Sequence, residues 1–288
     1  LEFSARGPGH IAALARAVPP RIGVVLNVGS AHLGEFGSVA AIAAAKGELV
    51  ESLPAHGVAV LNADDPAVRA MAGRSAARVV LVGQAADTTV TARDLRLDAG
   101  RPRFRLVTPA GSAPVALALV GAHHVGNALA AAAVAVELGA TPDAVAEALG
   151  AATPASRWRM EVSDRPDGVT VINDAYNANP DSMRAALEAL TAVGAGRRTW
   201  AVLGRMGELG DEAAAAHAGV ADAARRLGVD ELVAVDSPDY GAARTVAGID
   251  EAAELLRAEL RTGDVVLVKA SRAAGLEKLA AALLVSAS

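Results

Sequence analysis

The stretch VTVINDAYNANPDSMRAALEAL (169–190) runs from a β-branched apolar segment, through a polar loop, into a sequence with helical periodicity. Residues 169–173 read as a buried strand, and the apolar spacing over 181–193 reads as an amphipathic helix capped near Asp181. The rhythm then repeats, with strands at 199–203, 231–235 and 264–269 and helices at 212–227, 249–260 and 275–286. Strands that alternate with amphipathic helices form a parallel sheet covered on both faces. Ligands of such sheets sit beyond the carboxyl ends of the strands. The loop DAYNANPDSM (174–183) occupies one such end. A turn needs one or two polar residues, whereas this loop carries Asp174, Tyr176, Asn177, Asn179 and Asp181. That excess points to function beyond turn chemistry.

Upstream, ATPASRWR (152–159) is polar, contains proline and reads as a linker, which divides the chain into 1–154 and 155–288. In the first part IGVVLNV (22–28), VAVLN (58–62) and ARVVLVG (77–83) read as buried strands. A helix is expected over Ser38–Leu53, with Ser38 as its N-cap. TTVTARDLRLDAG, RPRFRLVTPAG and SAPVALALVG read as consecutive antiparallel strands, followed by helices at 126–138 and 142–150. The expected fold is α/β: a mostly parallel sheet with a small antiparallel sheet, then a Rossmann-like domain.

Composition narrows the function. The 288 residues are 52% hydrophobic but only 2% aromatic, so the core must be built from Ala, Val and Leu. The net charge is −5 and no basic run occurs, which argues against nucleic acid or an anionic membrane as partner. The absence of cysteine removes disulfide and thiol chemistry and fits a cytoplasmic protein. No apolar run is long enough to span a bilayer, and no signal-peptide pattern occurs. The first residue is Leu, so the chain reads as beginning inside a larger protein.

Only three lysines occur, at 46, 269 and 278, among many arginines. Lys46 lies in AIAAAKGELVESL (41–53), where helical spacing places it with Val39, Ile42, Leu49 and Leu53. Two readings are open. The side chain could snorkel, with its stem buried and its ammonium in water. Alternatively burial favours a neutral amine, which reacts with CO2 to give a carbamate whose oxygens suit a hard metal ion. Arginine cannot do this.

The other strand ends carry further candidates. NVGSAHLGEFGS (27–38) places His32 in a glycine-containing loop, as a turn residue or as a ligand. AHHVGNALAAAAVAVELG (122–139) places His123, His124 and Asn127 at a helix mouth, where they could cap the helix or, for Asn127, read an adenine edge. VKASR (268–272) brings Lys269, Ser271 and Arg272 to the edge where 174–183 lies. GRMGELG (204–210) spaces its glycines at 204, 207 and 210, which is not the dinucleotide pattern. A nicotinamide oxidoreductase therefore has little support.

Taken in order, LEFSARGPGHIA, NVGSAHLGEFGS, AKGEL, LNADDP, GAHHVGNALAAAA, RME (159–161), DAYNANPDSM, GRMGELG and VLVKASR resemble the Mur ligases of peptidoglycan precursor synthesis. DAYNANP carries the most weight and is similar to the branch that adds a dipeptide; the DNPR motif of the sister branch is absent. The resemblance implies the central ATPase domain over 1–154 and the Rossmann-like C-terminal ligase domain over 155–288. It implies ATP-dependent joining of D-Ala-D-Ala to UDP-N-acetylmuramoyl-tripeptide through an acyl phosphate, with ATP and Mg2+ as cofactors. Glu2, His32 and Lys46 match the family's metal-site positions, Lys46 as the carbamylated lysine. Lys46, His32 and Arg159 are the catalytic candidates, Arg159 matching the interdomain arginine that reaches the γ-phosphate. His123 and Asn127 match the adenine-side motif, and Asp174 the ribose-binding acid. Asn177, Asn179, Lys269, Ser271 and Arg272 lie where the dipeptide or the nucleotide is held, with Asn177 a candidate for both.

The chain also departs from the family pattern. It contains no G-x-x-x-x-G-K-[ST] loop and no UDP-binding N-terminal domain, and both precede the Glu2 match in the family. Arg205 stands where an acid is common and Ala270 where glycine is common. The expectation is an enzyme fragment, inactive alone, whose partner is the N-terminal part of the same enzyme. The competing expectation is a non-catalytic nucleotide- or dipeptide-binding module.

Overall fold

The computed structural model describes residues 1–5, 7–29, 36–242 and 244–285. The chain forms two compact units. One comprises Leu1–Arg96, Pro102–Ala118 and His123–Ala152; the other comprises Leu97–Arg101, Leu119–Ala122 and Thr153–Ser288.

In the first unit, α1 (His10–Ala17) precedes β1 (Ile22–Val25), α2 (Val39–Glu51), β2 (Val58–Asn62), α3 (Pro66–Ala70) and β3 (Arg78–Val82). The three strands form a parallel sheet ordered β1-β2-β3, with Ile22 opposite Val58 and Val58 opposite Arg78. Alternation along β2 explains its two-sided burial. Val58 and Val60 join a core with Phe104, Leu106, Val125 and Leu129. Ala59 and Leu61 face the opposite core, with Ile42, Val50, Val68 and Met71. A second, three-stranded sheet holds β4 (Thr91–Asp98), β5 (Arg101–Thr108) and β6 (Gly111–Ala116), with β5 and β6 antiparallel. Helices α4 (His124–Glu137) and α5 (Pro142–Ala151) complete the unit.

The second unit is built on six strands. In chain order these are β7 (Glu161–Asp164), β8 (Thr170–Asp174), β9 (Thr199–Leu203), β10 (Glu231–Val235), β11 (Arg244–Val246) and β12 (Val265–Lys269). Helices α6 (Pro180–Val193), α7 (Ala213–Arg226), α8 (Ile249–Glu259) and α9 (Glu277–Val285) connect or follow them. The sheet order is β11-β10-β9-β12-β8-β7, parallel except for the β7–β8 pair. Ile172, Ala201, Leu203 and Leu267 face a core with α6 and α7, while Val171, Trp200, Val202 and Val268 face one with α8 and α9. The parallel sheet covered on both faces is therefore present, and β8 places Asp174 at its carboxyl end.

Several boundaries differ from the sequence reading for identifiable reasons. β1 ends at Val25 because side chains take over the backbone groups beyond it: Asn62 Nδ2 donates to Leu26 O and Asp65 accepts from Val28 N. α6 starts at Pro180 rather than near Asp181. Asn179 forms a capping box, accepting from Ser182 N at 2.8 Å while Ser182 Oγ accepts from Asn179 N at 3.0 Å. β7 was not anticipated, since four residues with mixed polarity carry no periodic signal.

Candidate functional site

In the first unit Lys46 sits on α2, whose N-terminus is capped by Ser38 Oγ accepting from Ala41 N. The buried stripe of the helix is Ile42, Ala45, Gly47 and Val50, whereas Val39 is exposed. Lys46 lies half-buried beside this stripe. Its Nζ donates to Asn27 O at 2.7 Å and to Val28 O at 3.2 Å, at the end of β1. Burial pushes the amine below the ordinary lysine range, and the charge of Asp65 partly opposes the shift. Asp65 is itself fixed, since it caps α3 through Ala67 N and Val68 N. Two carbonyls can absorb both N–H groups of a neutral amine and leave its lone pair for an electrophile.

Glu2 and Lys46 line one cavity of about 710 Å³, together with Ile11, Gly23, Val25 and Asn27. Among the described residues no cluster of three His, Cys, Asp or Glu side chains is poised for a metal ion. His32 lies outside the described residues. As an ammonium Lys46 repels a cation and as a neutral amine it offers no oxygen, so the donor set suits magnesium only if that amine carries a carbamate.

At the other sequence-predicted site of this unit, α4 begins at His124, and His123 occupies its N-cap position without capping through its side chain. Simple helix capping therefore does not explain His123. The His123 and His124 rings stack at 4.2 Å in a tilted arrangement. His123 and Asn127 are exposed and, four residues apart, lie on one helix face.

The second unit gathers its candidates at the carboxyl ends of β8, β9 and β12. Lys269, only 2% exposed, donates to Asp174 Oδ2 at 2.5 Å and to Asn177 O at 2.8 Å. Asp174 Oδ1 accepts from Met160 N at 3.0 Å. Ser271 ties three segments together: its Oγ accepts from Gly207 N at 2.7 Å and donates to Ala178 O, and its N–H donates to Arg205 O. Asp174, Asn179, Lys269 and Ser271 thus build the loops, while Asn177, Arg159, Arg205 and Arg272 present exposed side chains. The Arg159 guanidinium lies 4.2 Å above the Tyr176 ring.

GRMGELG serves this packing. Gly204 N–H donates to Lys269 O, and Tyr240 Oη donates to Gly204 O. A Cβ at Gly204 would come within 2.9 Å of the Ala270 Cβ, so Ala270 fits because its neighbour is glycine. Met206 N–H donates to His217 Nε2 and His217 Nδ1 faces Ala213 O, which fixes a neutral tautomer with the proton on Nδ1. Burial pushes the Tyr240 hydroxyl well above the ordinary phenol range and keeps it a donor. His217, Tyr240, Trp158 and Glu277 were missed at the sequence level. Trp158 alone carried a signal: one of two tryptophans in the chain, it stands in a polar linker.

A Mur ligase middle domain matches residues 1–135 and a Mur ligase glutamate ligase domain matches residues 158–272, so the chain belongs to the Mur ligase family. It is 52% identical to the UDP-N-acetylmuramoyl-tripeptide–D-alanyl-D-alanine ligase of Mycobacterium tuberculosis, over 98% of its own length and 62% of that protein. Its structure matches MurF of Acinetobacter baumannii with a TM-score of 0.89 and 30% identity, over 98% of this chain and 63% of that one. It also matches MurF of Thermotoga maritima in complex with ADP, with a TM-score of 0.86 and 28% identity, over 97% and 65% of the two chains. The chain therefore spans less than two thirds of the length of these relatives.

Proposed function

We propose that this chain supplies the nucleotide- and dipeptide-binding portion of a ligase joining D-Ala-D-Ala to UDP-N-acetylmuramoyl-tripeptide. In this reading 1–154 is the central ATP-binding domain and 155–288 the C-terminal ligase domain, working in the cytoplasm. The observation that carries it is the Asp174–Lys269–Met160 network, which holds the DAYNANP loop rigid at the carboxyl end of the sheet. Resemblance to the D-Ala-D-Ala-adding relatives supplies the substrates.

The reaction has two steps. The terminal carboxylate of the tripeptide attacks the γ-phosphorus of ATP, giving an acyl phosphate and ADP. The amine of D-Ala-D-Ala then attacks the acyl carbon, expelling phosphate and losing a proton to form the amide. The family resemblance gives His123 and Asn127 the adenine and Asp174 a ribose hydroxyl, for which the Asp174 carboxylate keeps lone pairs beyond its two existing bonds. Arg159 stabilises charge on the phosphoryl group, with its guanidinium carbon 4.2 Å over the Tyr176 ring. Asn177 and Arg272 face the substrates, while Asn179, Lys269 and Ser271 hold the loops that present them. Glu2, His32 and carbamylated Lys46 would hold Mg2+, which neutralises phosphate charge when bound. The sequence contains no G-x-x-x-x-G-K-[ST] phosphate loop. We assign that function, and the UDP-binding part, to the additional length seen in the relatives.

Calorimetry on this chain with ADP and with D-Ala-D-Ala tests the binding part of the proposal. Binding of both is expected, weakened by Asn127→Ala for ADP alone. No binding of either ligand would remove the assignment of those sites to this chain.

A further inference from the structure

The stretch LNADDP (61–66) belongs to the family pattern yet holds none of the candidate ligands. The structure gives it a task at the end of β1. The pairing of β1 with β2 ends at Val25 opposite Leu61, and beyond it side chains of the loop after β2 hold the segment 26–28. Asn62 Nδ2 donates to Leu26 O at 2.8 Å, while Asn62 Oδ1 accepts from Asp64 N at 3.0 Å. Asp65 Oδ2 accepts from Val28 N at 2.8 Å, and its other oxygen caps α3 through Ala67 N and Val68 N. The two carbonyls that receive Lys46 Nζ, Asn27 O at 2.7 Å and Val28 O at 3.2 Å, lie within this held segment. Leu26 and Asn27 are exposed, so core packing does not fix that part of it.

We propose that Asn62 and Asp65 are positioning residues for the Lys46 amine, fixing the Asn27 and Val28 carbonyls that aim its lone pair. The inference rests on the carbamate reading of Lys46 above and deepens it. A neutral amine that donates both N–H groups to fixed carbonyls has one direction left for its lone pair. Carbamylation uses that direction. Nζ attacks the carbon of CO2, the C–N bond forms, a C=O electron pair moves onto oxygen, and one N–H proton leaves to water. The remaining N–H keeps one carbonyl as its acceptor, which orients the plane of the carbamate. A mobile pair of carbonyls would let the amine turn and lose the geometry of attack. Arrangement rather than charge carries this role: Asn62 is neutral, and Asp65 is already committed to three backbone N–H groups.

The test follows the carbamate carbon by carbon-13 NMR in the full-length protein, equilibrated with labelled bicarbonate at fixed pH. Asn62→Ala removes the hold on Leu26 O. Asp65→Ser keeps a cap for α3 but is too short to reach Val28 N. Each should lower the carbamate formation constant about 10-fold, the scale of one hydrogen bond. Raising bicarbonate about 10-fold should then restore both signal and turnover in these variants by mass action, whereas Lys46→Ala should respond in neither. Asp64→Ala controls for a purely structural loss: it removes bonds to Gln84 N and Ala85 N from the same loop and should leave the formation constant unchanged. Circular dichroism melts show which variants fold; where one does not, the isosteric Asp65→Asn, with one oxygen for two tasks, takes its place. Carbamate occupancy equal to wild type in the folded clamp variants overturns the inference, as does an equal loss in Asp64→Ala. A wild type without a carbamate signal fails the carbamate reading instead. Competitive acetylation then decides the positioning role. The reactivity of Lys46 relative to exposed Lys278 should fall about 10-fold in the clamp variants, and an unchanged ratio sinks it.

Discussion

Lys46 shows how one residue type can be selected by chemistry that charge alone does not require. Its amine is pushed down by burial and tied to two carbonyls. If its function is a carbamate, Lys46→Arg in the full-length protein should lose turnover by at least about 100-fold, as should Lys46→Ala, because a guanidinium cannot be carbamylated. Near-wild-type turnover of the Arg variant would instead support snorkelling. The pH dependence has a definite sign. Below its folded pKa the amine is protonated and unreactive, so carbamate occupancy should rise as pH increases through a value below the ordinary 10.5. Carbon-13 NMR of protein equilibrated with labelled bicarbonate would follow the carbamate carbon directly. The lysine's rarity was legible in the sequence; its two carbonyl partners, almost twenty residues away, were not.

Lys269 and Asp174 carry the strongest prediction for a single pair. The pair is nearly buried, with side chains 3% and 13% exposed. Removing one partner strands the other, so Lys269→Met should destabilise the protein by about 3 kcal/mol in urea unfolding. Adding Asp174→Asn should recover part of that loss. The sequence placed both residues at strand ends, but nothing in its local pattern joined positions 95 apart.

Among elements, the parallel strands and long helices were legible because their periodicities repeat: the core pattern of β8, β9 and β12 is a direct readout of apolar runs. Elements without periodicity, such as β7 and β11, were not. Capping was half legible. Asn179 was grouped with ligand residues, whereas its side chain opens α6. Asn179→Ala should therefore cost about 1 kcal/mol of stability, with Asn179→Asp close to neutral, as measured by chemical denaturation. A large loss of dipeptide affinity in a fully stable Asn179→Ala protein would restore a direct binding role. The loop after β9 makes the same point. Tyr240→Phe removes the bond to Gly204 O and should cost about 1 kcal/mol, read from the thermal midpoint.

At the scale of the whole molecule, two units each carry their own sheets and core, and the two Mur ligase domain matches fall over residues 1–135 and 158–272. The order of motifs made the family legible before any fold was known, because a Mur ligase is specified by short stretches at successive strand ends. The supports behind those stretches were invisible: the stacking of Arg159 on Tyr176 and of Arg272 on Trp158 depends on backbone bends that local propensity disfavours. No helix among the described residues is long and apolar enough to cross a membrane. The central claim is that these units belong to a ligase acting on D-Ala-D-Ala. Its most direct test is phosphate release from ATP by the full-length protein given UDP-N-acetylmuramoyl-tripeptide, with and without D-Ala-D-Ala. The account predicts release that depends on the dipeptide and matches amide formed one for one; release indifferent to the dipeptide, or none, would contradict it.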